Sequence, residues 1–392
     1  MSVTFAKGFK ASGLACGLKS NGNLDLALVV TNDAASVPAA AVFTKNRVSA
    51  APVNLSRANL TASKGFSAGV ILNSGCANAA TGRTGEDAAR KTLACLAEEL
   101  NIDTTSLLVC STGLIGMQLE YEKIESKIAE LVTTSGSDYG HGLLAATAIM
   151  TTDTHPKQSQ IEMDGIRVGA MAKGAGMINP NMATMLAVIT TDADVSPDVL
   201  QEVLSKSVGK TFNSLSIDGC TSTNDTVCLL ASGKSGKVSP DVLEQALDFV
   251  CMDLATQIAK DAEGATKFVR YKVVGAKDDA SAQIAARQIG ESLLVKTSIY
   301  GEDVYPGRVL SELGASLIDF DLDLVRVFYG DICIFADSMP KDIDALTKDK
   351  LTAYMAGDEI EITCDLGMGT GKGMLLGTDL GHGYIDENMK TS

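Results

Sequence analysis

Lys173-Gly-Ala-Gly-Met-Ile-Asn179-Pro180-Asn-Met-Ala183-Thr184-Met-Leu-Ala-Val-Ile-Thr190 is a glycine-punctuated turn that runs into an apolar strand. Gly174, Gly176 and Asn179-Pro180 permit a tight and strained backbone. Thr184 then opens a run with the character of a buried strand, so its hydroxyl sits at a loop-to-strand junction. A threonine there has a chemical option. Its hydroxyl can attack the Ala183 carbonyl, and hydrolysis of the resulting ester cuts the chain. The freed α-amine, with an ordinary pKa of about 7.7–8.0, is substantially available as a base near neutral pH. Nucleophile and base then share one residue, without histidine. The β-branched side chain also restricts rotation of the hydroxyl. From spacing alone, a threonine that starts a strand is far more often structural than catalytic.

Working outward, residues 25–31 and 68–73 are bounded apolar runs like 185–190, and each predicts a buried strand. Thr84 followed by Asp87 predicts a helix start. Small or apolar residues at 89, 92, 93, 96 and 100 form one face of that helix. Ser196-Pro197-Asp198 and Ser239-Pro240-Asp241 each place an N-cap serine, a first-turn proline and a first-turn acid. Shared capping physics explains the echo better than a duplicated domain. The best candidate boundary in the chain is the turn-rich stretch 173–184. Irregular alternation of strands and helices predicts a layered α/β or α+β enzyme fold.

Composition narrows the class. The 392 residues are 45% hydrophobic and 21% charged, which suits about two to three folding units with buried cores. A net charge of −15 repels phosphate backbones and anionic membranes, so neither nucleic acid nor membrane is an expected partner. Nine cysteines without a CxxC pair indicate neither a disulfide framework nor a zinc ribbon, and most are expected in the core. The N-terminus lacks a basic-then-apolar leader, so a cytoplasmic location is expected. The sequons at Asn54 and Asn59 then read as coincidence.

Several motifs fail on spacing. Gly367-Met-Gly-Thr-Gly371-Lys372-Gly373 lacks the first glycine and the final hydroxyl of a phosphate loop, and reads as a flexible turn. The 173–179 stretch misses the last glycine of a dinucleotide fingerprint. His141, His155 and His382 are scattered, with no HxxxH or HExxH pair, and no GxSxG elbow occurs. No metal ligand set is therefore expected. Any acyl chemistry here uses a base other than histidine.

The stretch 173–186 resembles the self-cleavage motif of the ornithine acetyltransferase family, also called bifunctional glutamate N-acetyltransferase. That pattern is close to K-G-x-G-M-x-x-P-x-x-A-T-M-L, and every fixed position is matched. The similarity extends in order through Gly8–Gly13, Asp25–Leu28, Ala41–Asn46, Asn73–Asn78 and Cys110–Gly116. It continues through Ala148–Asp153, Thr211–Gly219, Thr221–Asp225 and Glu263–Lys267. The resemblance implies an N-terminal-nucleophile-like layered α/β (α+β sandwich) fold built by two autoproteolytic chains. These would be an α chain of residues 1–183 and a β chain of residues 184–392, assembled as a dimer of αβ pairs.

It further implies cleavage between Ala183 and Thr184, and transfer of acetyl from N2-acetyl-L-ornithine to L-glutamate through an acetyl-Thr184 ester. Thr112 and Gly113 would donate to the oxyanion. Thr151 (with Thr152 as the adjacent alternative), Lys173, Thr184, Glu263, Asn388 and Ser392 would bind substrate. Without the resemblance, Thr112-Gly113 reads as an ordinary turn, and the others as solvated charges or core hydroxyls. No cofactor is implied. Bifunctional members also use acetyl-CoA as a substrate, and that distinction is not written in these residues.

Departures cluster in the second half. Asp303-Val-Tyr-Pro-Gly-Arg308 stands where the family commonly has D-P-N-W-G-R, and the chain has no tryptophan. Asp261-Ala262-Glu263 replaces D-G-E, Cys220 replaces an aspartate, and the tail beyond Asn388 is one residue short. Two other readings therefore stand beside the first. One is a related amidohydrolase or acyltransferase that uses Thr184 on a different amide. The other is an uncleaved, inactive metabolite-binding relative.

Overall fold

Leu26, Leu28 and Val30 belong to one apolar cluster, and Ala27 and Val29 to another, all five without solvent exposure. That period of two is the mark of a strand covered on both faces. A computed structural model describes residues 2–179 and 185–389. The chain divides into two units, Met1–Asn213 with Cys220–Ile258, and Ser214–Gly219 with Ala259–Thr391.

The first unit opens with β1 (Phe9–Leu14), β2 (Leu26–Thr31), β3 (Val37–Phe43), α1 (Ala51–Ala62), β4 (Phe66–Ser67) and β5 (Gly69–Asn73). It continues through α2 (Gly82–Leu100), β6 (Leu107–Ser111), α3 (Tyr121–Thr133), α4 (Tyr139–Ala148) and β7 (Lys157–Met163). Then come β8 (Ile166–Lys173), β9 (Leu186–Asp194), α5 (Pro197–Lys210), β10 (Thr226–Lys237) and α6 (Pro240–Lys260). One sheet runs β1-β2-β5-β6 and the other β4-β3-β10-β9-β8-β7.

Leu93 and Leu96 of α2, with Ile124, Ile128 and Leu131 of α3, cover one face of the first sheet. Its other face meets Met171, Val188, Cys228 and Leu230 of the second sheet. Helix α5 packs on β3 and β10. The result is helices, sheet, sheet, helix, the layered α/β arrangement that the sequence predicts. Each fully buried leucine or valine in these layers contributes about 1.5–3 kcal/mol.

The predicted strands at 25–31, 68–73 and 185–190 are β2, β5 and β9. Ser196 and Ser239 cap as predicted, accepting from the Val199 and Val242 N–H groups. Helix α2, however, begins at Gly82, ahead of Thr84. Thr81 Oγ1 donates to Asn78 Oδ1 at 2.7 Å and Asn78 Nδ2 donates to the Gly85 carbonyl, so the turn before the helix organises its start. The stretch 173–184 does not separate the two units: β8 and β9 flank it and pair antiparallel, Lys173 opposite Leu186.

The second unit holds β11 (Phe268–Ala276), α7 (Asp279–Glu291), α8 (Leu293–Tyr300), α9 (Pro306–Ala315), β12 (Arg326–Tyr329) and β13 (Ile332–Ala336). It ends with β14 (Met339–Pro340), α10 (Ala345–Met355), β15 (Glu359–Asp365), β16 (Gly371–Thr378) and α11 (His382–Asn388). Its sheet runs β14-β13-β12-β15-β11-β16. Leu215 forms a parallel bridge with Leu376, and the Ser216 N–H donates to the Leu376 carbonyl at 2.9 Å.

The glycines read as a flexible turn prove to be partly strand. Gly371 and Gly373 lie in β16, where a Cβ would come within 2.3 Å of Asp278 and 2.4 Å of Ala282 backbone. Glycine there lets helix α7 lie directly on the strand. None of the nine cysteines is in a disulfide, and five are buried. Asn59 Nδ2, in one of the two sequons, is buried and donates to the Thr104 and Leu107 carbonyls.

Candidate active site

Strand β6 ends beside β5, with Ser111 opposite Asn73. The next N–H, that of Thr112, donates to the Asn73 carbonyl at 2.9 Å. Gly113 follows with φ 130°, and a Cβ there would lie 2.4 Å from the Gly75 carbonyl carbon and 2.6 Å from the Cys76 nitrogen. Only glycine fits that close approach. A buried amide network braces the turn from below. Ser111 Oγ donates to Asn73 Oδ1 at 2.6 Å, and Asn73 Nδ2 to the Cys76 carbonyl at 2.9 Å. Asn224 Nδ2 donates to the Ala77 and Ser111 carbonyls at 2.6 and 2.9 Å. Buried polar groups satisfied in this way fix one geometry.

Above the turn, Lys173 Nζ donates to Thr112 Oγ1 at 3.4 Å. Because the threonine oxygen accepts from an ammonium, its own hydrogen is turned toward another acceptor. Lys173 closes β8, and its ammonium lies 4.0 Å from Asp153 Oδ2. The Asp153 side chain is fully buried. Its Oδ1 accepts from Lys157 Nζ at 2.6 Å and from the Gly174 N–H at 2.7 Å, and its Oδ2 from the Thr151 N–H at 2.9 Å. Burial alone would raise this carboxyl. The Lys173 and Lys157 ammoniums and these hydrogen bonds hold it well below the usual carboxylate range. One buried anion thus ties Thr151, Lys173 and the start of the 174–179 turn together. The far end of that turn is anchored as well, by Thr221 Oγ1 donating to the Asn179 carbonyl at 3.2 Å.

In the second unit, Glu263 Oε2 accepts from Asn388 Nδ2 at 3.0 Å, and the same nitrogen donates to the Tyr384 carbonyl at 2.9 Å. Helix α11 is brought there by Gly264, at φ 63°, where a Cβ would sit 2.0 Å from Gly383 and 2.1 Å from Tyr384 backbone. The divergent 303–308 block forms the corner before α9. Arg308 there pairs with Asp303 at 3.5 Å and donates to the Leu294 carbonyl.

Of the residues singled out from sequence, Thr112, Gly113, Thr151 and Lys173 form one cluster in the first unit, and Glu263 and Asn388 one contact in the second. Ala183, Thr184 and Ser392 lie outside the described residues. Sequence reasoning missed Asp153, Lys157 and Asn224 as site residues. Their local signal was weak: Asp153 and Asn224 sit inside recognised blocks, but only the folded chain shows what they bind. Lys157 is a lysine at the first position of a strand, with no exposure at all. Among the described residues, no group of three or more His, Cys, Asp or Glu side chains is placed to hold a metal ion.

The sequence model of the ArgJ family matches residues 10–391. A relative from Mycolicibacterium paratuberculosis, named arginine biosynthesis bifunctional protein ArgJ, is 44% identical and covers 98% of this chain and 95% of its own length. One of the same name from Streptomyces avermitilis is 43% identical over 99% of both chains. A crystal structure of the protein of that name from Bacillus halodurans is 36% identical, covering 51% of this chain and 96% of its own, with a TM-score of 0.48.

Proposed function

The chain belongs to the ArgJ family, and from that premise we propose that it is an acetyltransferase of arginine biosynthesis, moving acetyl from N2-acetyl-L-ornithine to L-glutamate. The observation that carries the reading is the braced Thr112-Gly113 turn, with Lys173 oriented onto the threonine oxygen.

Cleavage between Ala183 and Thr184 comes first and yields chains 1–183 and 184–392. Thr184 Oγ then attacks the acetyl carbonyl carbon, and the Thr184 α-amine takes the hydroxyl proton. The Thr112 hydroxyl and Gly113 N–H stabilise the oxyanion, each donor being worth about 10²–10³ in rate. The C–N bond breaks, the proton passes to the departing amine, and ornithine leaves an acetyl ester on Thr184. The glutamate amine attacks that ester carbonyl, the bond from the carbonyl carbon to Thr184 Oγ breaks, and a proton from the attacking amine passes through the Thr184 α-amine to the Thr184 oxygen, releasing N-acetylglutamate. One amide is exchanged for another, so little driving force is needed.

Lys173, set between Thr112 and Asp153, supplies positive charge toward the oxyanion side and toward a substrate carboxylate. Thr151, fixed through Asp153, offers its hydroxyl to substrate. Glu263, with Asn388 beside it, is suited to a substrate ammonium, and Ser392 completes the substrate set. The active form is a dimer of αβ pairs that works on small molecules in the cytoplasm. No helix among the described residues is long and apolar enough to cross a membrane.

Intact mass and N-terminal sequencing of fresh protein test the first step. With 40.8 kDa over 392 residues, fragments of about 19 and 22 kDa are expected, the second starting Thr-Met-Leu. Thr184→Ala should remain one chain. A wild-type chain that stays uncut under native conditions overturns the mechanism. Acetyl transfer to glutamate, compared with transfer to water, then separates the transferase from an amidohydrolase, and acetyl-CoA is the second donor to try.

A further inference from the structure

A cavity of about 320 Å³ lies within the second unit, bounded by α8, the start of α11, and residues 216–219. None of the residues assigned to acetyl transfer lines it. Its walls include Leu293, Tyr300, Leu380 and Ile385, with Asp218 and Lys296 as charged members. Lys296 is the unusual one. It is 2% exposed, and its ammonium donates to the Thr378 carbonyl at 2.8 Å and to Thr378 Oγ1 at 3.0 Å. Among the described residues no carboxylate pairs with it. An ammonium has three donors, and these two hydrogen bonds go to neutral oxygens, with the carboxylates of Asp379, Asp218 and Glu291 acting on it only from beyond ion-pair distance. Glu291, also on the wall, is already answered by Arg287 at 2.6 Å. Leu293 and Ile385 are exposed, which puts apolar surface at the mouth.

We propose that this cavity binds a small α-amino acid with an apolar side chain. The carboxylate completes Lys296, the ammonium meets Asp218, and the side chain lies against Leu293, Tyr300, Leu380 and Ile385. The volume is that of a small-ligand site with mostly apolar walls and a few polar groups that fix orientation. Occupancy has a structural reader. Tyr384 and Ile385 belong to α11, whose N-terminus rests on Tyr300: the Tyr300 and His382 rings meet edge to face at 6.2 Å, and a Cβ on Gly381 would strike the Tyr300 ring. The same helix carries Asn388. A bound amino acid therefore stiffens the helix that presents Asn388 to Glu263, and this inference adds a second ligand to the proposed transferase without depending on its chemistry.

Calorimetric titration of the full-length protein with L-leucine tests it. Saturable binding is expected, with 4-methylpentanoate and 3-methylbutylamine each weaker by about tenfold or more, because each lacks one charged contact. Lys296→Met should weaken leucine binding by at least about tenfold. Should that variant fail to fold, Leu293→Trp replaces an exposed side chain and introduces the chain's only tryptophan at the mouth, whose emission should shift on saturation. Amide exchange across 382–388 should slow when leucine is bound. Absence of saturable binding up to about 10 mM, well above a weak-site Kd, overturns the proposal. So does equal binding of all three probes, or unchanged leucine binding by a folded Lys296→Met.

Discussion

Two buried charges behave in opposite ways because their surroundings differ. Asp153 has two lysines and two backbone N–H groups as partners, so its folded carboxyl is held below its ordinary value. A depressed acid stabilises the fold above its unfolded pKa, about 3.9, and loses that contribution as pH falls through the lower folded value. Asp153→Asn leaves Lys157 and Lys173 without this anion. It should cost about 3–5 kcal/mol in urea unfolding at neutral pH and flatten the acid limb of the stability curve. Lys296 is the reverse case: burial pushes its amine from 10.5 down to about 8, against the opposing pull of Asp379, Asp218 and Glu291. Between those two values the unfolded chain binds more protons than the folded one, so stability should rise with pH across that window. The amplitude is about 3 kcal/mol, and Lys296→Met should abolish the rise.

At the scale of elements, the fit of α11 against the 263–264 turn is the most exposed to mutation. Gly264→Ala places a methyl inside van der Waals contact with Gly383 and Tyr384 while the backbone stays at positive φ. A stability loss of about 2 kcal/mol or more is expected. With Asn388 drawn off Glu263, KM for acetylornithine should rise while chain cleavage is unchanged, as steady-state kinetics and gel analysis would show. Which elements exist was legible where the signal is local. The apolar runs of β2, β5 and β9 are strands whatever surrounds them, and Ser196-Pro197 starts a helix by its own chemistry. The start of α2 was misplaced because Asn78, four residues before Gly82, organises it through the fold. Gly371 and Gly373 were misread because a glycine wanted for close approach looks the same in sequence as one wanted for a turn. The site was legible only where a motif matched: Thr112, Gly113, Thr151 and Lys173 carry the resemblance, whereas Asp153, which ties Thr151 and Lys173 together, gains its meaning from those contacts and from partners at 157 and 174.

At the scale of the molecule, the second sheet of the first unit pairs β8 with β9 and β3 with β10, so a cut at 183–184 would leave ladders joining residues on either side. The cleaved chains should co-elute as one species in size-exclusion chromatography and part only in denaturant; two separate peaks under native conditions would contradict this pairing. The chain also leaves the first unit at Ser214, contributes six residues to the second, and returns at Cys220 before building the rest of it. The Ser216 N–H donates its hydrogen bond to the carbonyl of Leu376, near the far end of the chain. On a ribosome adding about 5–20 residues per second, that short excursion emerges roughly 8–30 seconds before its partner strand exists. During that interval its apolar residues Leu215 and Ile217, both buried at the end, are open to chaperones and to wrong neighbours. Slow codons or truncation late in the message should therefore damage a segment that was translated long before.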